Sequence, residues 1–89
     1  MPHRKLTLTN KRGLHARAAT KLVQCCHPYE ARVTVINGKI KGDATNIMSL
    51  LMLAAPCGTE LEIHAEGEDA EAVLDAIAAL FEARFEEDG

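Results

Sequence analysis

Apolar and polar residues alternate along three stretches of the chain, a period of two that is typical of β-strands with one buried face. The stretches span residues 4–9, 31–35 and 60–65. In the first of them, Leu6 and Leu8 are predicted to face inward. A shorter strand is predicted over residues 39–41, because Asn37-Gly38 before it is a strong signal for a hairpin turn. The pattern therefore predicts four strands, with the second and third paired antiparallel.

Three other segments place apolar residues at helical spacing. The first begins at Ala16 and ends near His27, where Pro28 stops it. The second runs from residue 47 to about residue 54, and the third is a helix of about four turns that follows residues 67–69. The positions predicted to be buried are Ala19, Leu22, Val23 and Cys26 in the first helix, and Ala70, Val73, Leu74, Ile77 and Phe81 in the third, with Phe85 as a further candidate.

The predicted order of elements is βαββαβα. One face of an antiparallel sheet has to be covered, and the three helices can cover it. At 89 residues the chain has room for one domain, and we expect residues 1–89 to form it. The sequence thus predicts an α+β fold in which three helices cover one face of a four-stranded antiparallel sheet.

The composition, 47% hydrophobic and 26% charged, is that of a soluble globular protein. A net charge of −3 argues against an extended nucleic-acid-binding surface. A small αβ nucleic-acid-binding module would also need aromatic side chains for stacking, and the chain has no Trp, one Tyr and two Phe. No stretch is long enough to span a membrane, and the start lacks the apolar core of a signal peptide. We therefore expect a cytoplasmic protein without membrane insertion.

The three cysteines, Cys25, Cys26 and Cys57, are an odd number that suits a reducing compartment. Cys25, Cys26 and His27 are neighbours on a predicted helix and point about 100° apart, so they cannot easily converge on one metal ion. The chain has no CxxC pair. We expect the cysteines to be small buried side chains, and no metal site is predicted.

The candidate chemistry lies where a loop turns into the first helix. His15 stands at this junction, and Gly13 allows a sharp turn just before it. The first amides of a helix lack internal partners and the helix dipole makes that end positive, so it attracts oxygen anions such as phosphate. Arg17 adds a forked donor with a permanent charge. These residues indicate a phosphate bound to, or carried on, His15; the alternative is an exposed surface or capping histidine.

Residues 9–17, TNKRGLHAR, resemble the active-site motif of the histidine-containing phosphocarrier proteins (HPr) of the bacterial phosphotransferase system. The resemblance continues through residues 47–53, 58–59 and 65–69, and it covers essentially the whole chain. It implies an HPr-like open-faced sandwich. It also implies a phosphocarrier with a transient phosphohistidine rather than an enzyme.

The resemblance further implies how the site is used. Enzyme I, charged from phosphoenolpyruvate, is expected to pass a phosphoryl group to Nδ1 of His15, and an enzyme IIA domain then takes it away. Arg17 is expected to neutralise the phosphoryl oxygens, and the amides of Ala16 and Arg17 to donate to them. Arg12 adds attraction at longer range. The resemblance implies no metal or organic cofactor, and we expect a monomer.

The predicted middle helix carries a second functional signal, because Ser49 is its only polar residue between positions 47 and 53. A short surface helix can bury only one face, so some of its apolar residues should be exposed, as at an interface. By resemblance, Ile47, Met48 and Leu51 are the positions expected to dock Enzyme I and IIA domains. The alternative is a helix that is buried all round.

The chain departs from the family pattern in two places. Ala18 stands where many members have proline, which leaves one more free amide near the anion site. Asn46 stands where many members from Gram-positive bacteria have a regulatory serine, so this position cannot be phosphorylated. The Leu- and Met-rich middle helix and residues 80–88 look more like the nitrogen-related branch, NPr. The acidic residues 86–88 are expected to form a solvated tail.

One alternative function follows from the family itself. Regulatory relatives of HPr bind partner proteins without carrying phosphate. Members of that kind lack the active-site histidine, and this chain has His15. The sequence therefore favours the phosphocarrier over the binding module.

Overall fold

The computed structural model describes residues 2–87, which form a four-stranded antiparallel sheet with three α-helices. The strands are β1 (His3–Thr7), β2 (Arg32–Asn37), β3 (Ile40–Asp43) and β4 (Glu60–Glu66), and the helices are α1 (Ala16–Cys26), α2 (Ile47–Leu51) and α3 (Ala70–Glu82). The strand order is β1-β4-β2-β3. The predicted α+β open-faced sandwich and the element order βαββαβα are confirmed, with a short 3₁₀ turn, Arg84–Glu86, added after α3.

The core lies between one face of the sheet and the helices. Alternation along the central strands turns Val33 and Val35 of β2, and Leu61 and Ile63 of β4, into this core. From the helices it receives the buried residues Ala18, Ala19, Leu22, Cys26, Leu50, Ala70, Val73, Leu74, Ile77 and Phe81. Val23, predicted to be buried, is only partly so, because the inward face of α1 is centred nearer to Ala18 and Leu22.

The hairpin between β2 and β3 is one residue later than predicted. Asn37 is paired with Ile40, so the two-residue loop consists of Gly38 and Lys39. Gly38 has φ +61°, a left-handed conformation that glycine adopts without a steric penalty. The Asn-Gly pair therefore does mark the turn, but Asn37 is the last residue of the strand.

Helix α2 ends at Leu51, about one turn earlier than predicted. After it, Leu53 N donates to Leu50 O and Ala54 N to Leu51 O, a tighter pattern than that of an α-helix. Ala54 then takes φ +49°, so the chain cannot continue as a helix. The apolar run thus spans a helix and the turn that follows it.

The chain after α3 folds back on the molecule instead of forming a solvated tail. Arg84, Phe85 and Glu86 all have φ between +54° and +61°, and left-handed backbone costs roughly 1–2 kcal/mol for each such residue. Phe85 is fully buried and packs on Phe81 with ring centroids 5.0 Å apart. This turn directs Glu87 toward the start of α1. The tail prediction is therefore wrong for Glu87, and Asp88 lies outside the described residues.

Candidate functional site

The loop that leads into α1 is held to the neighbouring turn by its backbone. Leu14 N donates to Ala55 O over 2.9 Å, and Gly58 N donates to Leu8 O over 2.8 Å. Gly13 has φ +67°, and a Cβ at this position would lie 2.4 Å from Ala55 O. Only glycine fits this close approach of two backbones, and the turn that it permits places His15 at the helix start.

His15 is the N-cap residue of α1, with extended backbone at φ −88° and ψ −178°. The first helical hydrogen bond runs from Ala19 N to His15 O at 2.8 Å, so the three preceding amides have no acceptor inside the helix. The His15 side chain does not accept a hydrogen bond from any of these amides either. Ala18 is fully buried, whereas Ala16 and Arg17 are exposed. The amides of Ala16 and Arg17, which the sequence predicts as phosphate donors, thus belong to exposed residues and have no acceptor inside α1.

A surface cavity of about 520 Å³ opens around this helix start. It brings together His15, Arg17 and Arg12, the three side chains that the sequence singled out. Its other lining residues are Lys11, Lys21, Glu86 and Glu87. Lys21 is one helical turn after Arg17 and could have been found from that spacing. The two glutamates come from the far end of the chain and have no local signal in the sequence.

Glu87 contacts the His15 ring directly. His15 Nε2 and Glu87 Oε2 are 2.5 Å apart, and the two side chains are only 23% and 14% exposed. Asn10 Nδ2 donates to the second carboxylate oxygen at 3.2 Å and to Gly13 O at 2.7 Å. Desolvation opposes ionisation of Glu87, but the hydrogen bonds from His15 and Asn10 outweigh it and lower the pKa of this carboxyl. A histidine at a helix start is expected to be exposed, but the end of the chain covers part of the His15 ring.

Lys21 connects the cavity to the C-terminal turn. Its Nζ donates to Phe85 O at 2.7 Å and lies 3.5 Å from Glu86 Oε1. The carbonyl it binds belongs to the left-handed turn. Lys21 therefore holds in place the backbone that precedes Glu87, besides adding positive charge to the site.

Helix α2 exposes one apolar face, as expected of a surface helix. Ile47, Met48 and Met52 are 37%, 66% and 72% exposed, and Leu51 is half-buried. The exposure of Ile47 and Met48 rules out a helix buried all round, and the fully buried Leu50 marks the side of α2 that faces the core. Sequence reasoning placed Ile47, Met48 and Leu51 on the docking face but did not single out Met52, whose position in the turn after α2 depends on where that helix ends.

Asn46 is the N-cap of α2, and its Oδ1 accepts from Ser49 N at 3.1 Å. The hydroxyl groups of Thr45 and Ser49 lie on either side of Asn46 in the sequence, and both form hydrogen bonds with Asp43. Ser49 Oγ accepts from Asp43 N at 2.8 Å, and Thr45 Oγ1 donates to Asp43 Oδ1 at 2.7 Å. The hydrogen bonds from the backbone and side chain of Thr45 lower the pKa of Asp43.

The cysteines are separate from this site. Cys25, Cys26 and Cys57 are all free thiols, and burial raises the pKa of Cys26 to about 12. Cys57 is exposed, so the expectation of buried cysteines is wrong for this residue. Among residues 2–87, no three His, Cys, Asp or Glu side chains are grouped as metal ligands would be. None of the described helices has the length and apolar content needed to cross a membrane.

Comparison with known proteins places the whole described chain in one group. Residues 2–83 match a family model described as the PTS HPr component phosphorylation site. The chain is similar to phosphocarrier protein NPr of Shewanella violacea, with 44% identity over 94% of this chain and 92% of that protein. It is also similar to phosphocarrier protein HPr of Xylella fastidiosa strain Temecula1, with 41% identity over 99% of both chains. Its fold matches the crystal structure of HPr-C-His from Thermoanaerobacter tengcongensis at a TM-score of 0.95 and 31% identity, covering both chains completely.

Proposed function

The chain belongs to the HPr/NPr family of phosphotransferase-system phosphocarriers, which carry a phosphoryl group and are not catalysts, and on this basis we propose that His15 carries it. The observation that supports this assignment is the position of His15 at an uncapped helix start. Four basic side chains line the cavity around it, and the amides of the exposed residues Ala16 and Arg17 have no acceptor inside α1. Family membership also removes the nucleic-acid-binding alternative.

The phosphoryl group is accepted on Nδ1. Glu87 occupies Nε2, and no hydrogen bond among residues 2–87 engages Nδ1. In an in-line transfer the lone pair of Nδ1 forms the bond to phosphorus while the bond to the donor atom breaks, and the donor keeps that electron pair. Most of the rate acceleration in such a transfer comes from positioning the reacting groups and from neutralising their charge. Arg17 and the amides of Ala16 and Arg17 receive the phosphoryl oxygens, and Arg12 adds attraction at longer range.

The donor is Enzyme I and the acceptors are enzyme IIA domains. Their docking surface is the exposed apolar face of α2 and the turn after it, formed by Ile47, Met48, Leu51 and Met52. Flexible methionine side chains suit a surface that has to meet more than one partner. An apolar face that is already solvent-exposed requires no unfolding before docking, which fits a carrier that changes partners in every cycle.

The chain acts in the nitrogen-related branch, as a cytoplasmic monomer with one domain over residues 1–89. The Leu- and Met-rich segment 47–53 and residues 80–88 support the branch assignment, and a relative named NPr is among the similar proteins. No regulatory phosphorylation occurs at the head of α2. Asn46 lacks a hydroxyl there, and the hydroxyls of Thr45 and Ser49 are engaged with Asp43.

The proposed function is tested by incubating the protein with Enzyme I and phosphoenolpyruvate and recording its intact mass. We expect a gain of one phosphoryl group that is lost in acid, as a phosphohistidine is. Subsequent addition of a IIA protein should return the mass to its starting value. Comparing Enzyme I proteins of the sugar and nitrogen branches as donors tests the branch, since we expect faster transfer from the nitrogen-related one. No gain of mass with either donor would contradict the proposal.

A further inference from the structure

Glu87 is the hydrogen-bond partner of the His15 ring although the two residues are 72 positions apart in the chain. An ionised carboxylate can only accept hydrogen bonds, so the proton in this contact belongs to Nε2. In a neutral ring with Nε2 protonated, the lone pair is on Nδ1. The contact therefore selects the tautomer that presents Nδ1 to an incoming phosphorus atom.

Several independent contacts hold Glu87 in this place. Asn10 donates to its other carboxylate oxygen, and Lys21 binds the carbonyl of Phe85, two residues before it. Phe85 itself is buried in the core. Left-handed backbone at three consecutive residues other than glycine persists only where the surroundings over-determine it, and such strain concentrates at functional sites. The turn thus places the Glu87 carboxylate beside the His15 ring.

The charge of Glu87 is compatible with a phosphate site. The cavity lining carries more positive than negative side chains. The positive ones are Lys11, Arg12, Arg17 and Lys21, and the negative ones are Glu86 and Glu87. Among the described residues, the hydrogen-bond partners of the Glu87 carboxylate are His15 and Asn10, and no amide of α1 donates to it. The carboxylate thus lies beside the ring and does not take the place of the phosphoryl group at the helix start.

We propose that Glu87 is a positioning residue for phosphoryl transfer, which holds the Nε2 proton and stabilises the positive charge that the ring acquires when Nδ1 bonds to phosphorus. The proposal rests on the proposed function of His15. During the step the P–Nδ1 bond forms, the bond between phosphorus and the donor breaks with its electron pair left on the donor, and the Nε2 proton stays on His15. A carboxylate that orients an imidazole and stabilises its cation plays the same part in hydrolytic triads.

The kinetic test compares Glu87→Gln with Glu86→Gln, a matched control. Glu86 is the preceding residue in the same turn, and its carboxylate faces Lys21 and not the ring. For Glu87→Gln we expect the rate of phosphoryl transfer from phospho-Enzyme I to fall on the order of tenfold. The KM for the donor should stay within about twofold, because docking is unaffected. In Glu86→Gln, which removes one charge from the cavity lining but no contact with the ring, the transfer rate should change far less than in Glu87→Gln.

The spectroscopic test records nitrogen NMR of the ¹⁵N-labelled protein. We expect a hydrogen-bonded Nε2 proton on His15 in the wild type and in Glu86→Gln. In Glu87→Gln this signal should weaken through exchange with water, and the Nδ1–H tautomer should gain population. A purely structural role of Glu87 would not change these signals while the fold is intact, which thermal unfolding of each variant checks.

The outcomes separate this proposal from the one on which it rests. Normal acceptance by the wild type together with unchanged transfer in Glu87→Gln would overturn the role of Glu87 alone. Equal losses in Glu87→Gln and Glu86→Gln would overturn it as well, since the effect would then reflect the charge of the turn. A wild-type protein that accepts no phosphoryl group would overturn the function of His15 and the transfer role of Glu87 with it.

Discussion

Helices α1 and α2 both start from an N-cap residue with extended backbone, His15 at ψ −178° and Asn46 at ψ 111°. The Asn46 side chain caps α2 by accepting a hydrogen bond from Ser49 N, whereas the His15 side chain makes no capping hydrogen bond. The start of α1 is surrounded by basic side chains, and that of α2 leads into an exposed apolar face. An N-terminus capped by its own side chain adds stability, and one left uncapped keeps its amides for a ligand.

The largest effect is expected at the uncapped helix start. His15→Ala should abolish phosphoryl acceptance from Enzyme I, measured by intact mass, because the nitrogen that we propose as the acceptor is removed. The free energy of unfolding should change by less than about 1 kcal/mol, since no core side chain is lost. His27→Ala is the matched control, because His27 is an exposed histidine at the opposite end of the same helix. If His15→Ala still gains the mass, another residue carries the phosphoryl group.

The next effect concerns the charge beside the uncapped amides. Arg17→Ala should slow transfer on the order of a hundredfold without abolishing it, as the loss of one preorganised donor does at other anion sites. Arg17→Lys should fall between this variant and the wild type, because it keeps the charge but loses the forked geometry. Rapid-mixing measurements of transfer test this, with the exposed Arg32→Ala on β2 as the control. A wild-type transfer rate in Arg17→Ala would show that Arg17 does not take part in phosphoryl transfer.

A smaller effect is expected on the apolar face of α2. Met48→Glu should weaken binding to Enzyme I about tenfold, because a charge would be buried in an apolar contact. Calorimetric titration measures this, and Ala79→Glu on the exposed side of α3 is the control. The intrinsic chemistry at His15 should be unaffected, so raising the Enzyme I concentration should restore transfer. Unfolding of Met48→Glu would instead show that this face belongs to the core.

The smallest effect tests the two caps against each other. Asn46→Ala should destabilise the protein by about 1 kcal/mol, because Ser49 N loses its partner. Asn46→Asp should stay close to the wild type, since aspartate caps equally well. His15→Ser should stabilise α1 by a few tenths of a kcal/mol, because a hydroxyl can cap where the ring does not. Urea unfolding measures all three, and a destabilised His15→Ser would show that the contacts of the ring outweigh a cap.

Most of the architecture could be predicted because it depends on local periodicity. Period-two alternation identified β1, β2 and β4, and the Asn-Gly turn signal identified β3. The 3.6-residue spacing identified the buried face of α3 and, except for Val23, that of α1. Phe85, the further candidate, is buried as predicted but lies in the turn after α3. The errors were at boundaries, where apolar residues do not distinguish one helical turn from another kind of turn. The end of α2 is the clearest case, since Met52, Leu53 and Ala54 are as apolar as the helix before them.

Only the part of the candidate site that is formed by residues close together in the sequence could be predicted. His15, Ala16 and Arg17 adjoin one another in a nine-residue motif, and the anion-binding property follows from the helix start that they form. The requirement for glycine at position 13 is visible in the sequence as a turn, but its cause is the carbonyl of Ala55 from a distant loop. Lys21 comes from the next turn of the same helix. Glu87 could not be placed at all.

The sequence by itself determined the strands and α-helices, the single buried face of the sheet and the start of α1 just after His15, because each depends on residues a few positions apart. The tertiary structure decided which apolar residues of α2 remain exposed and which carboxylate meets the histidine. Glu87 reaches His15 because burial of Phe85 and its contact with Phe81 stabilise a left-handed turn in three residues that have no local preference for it. Such a turn has no sequence signature, since the energy that stabilises it comes from the core formed by the rest of the chain.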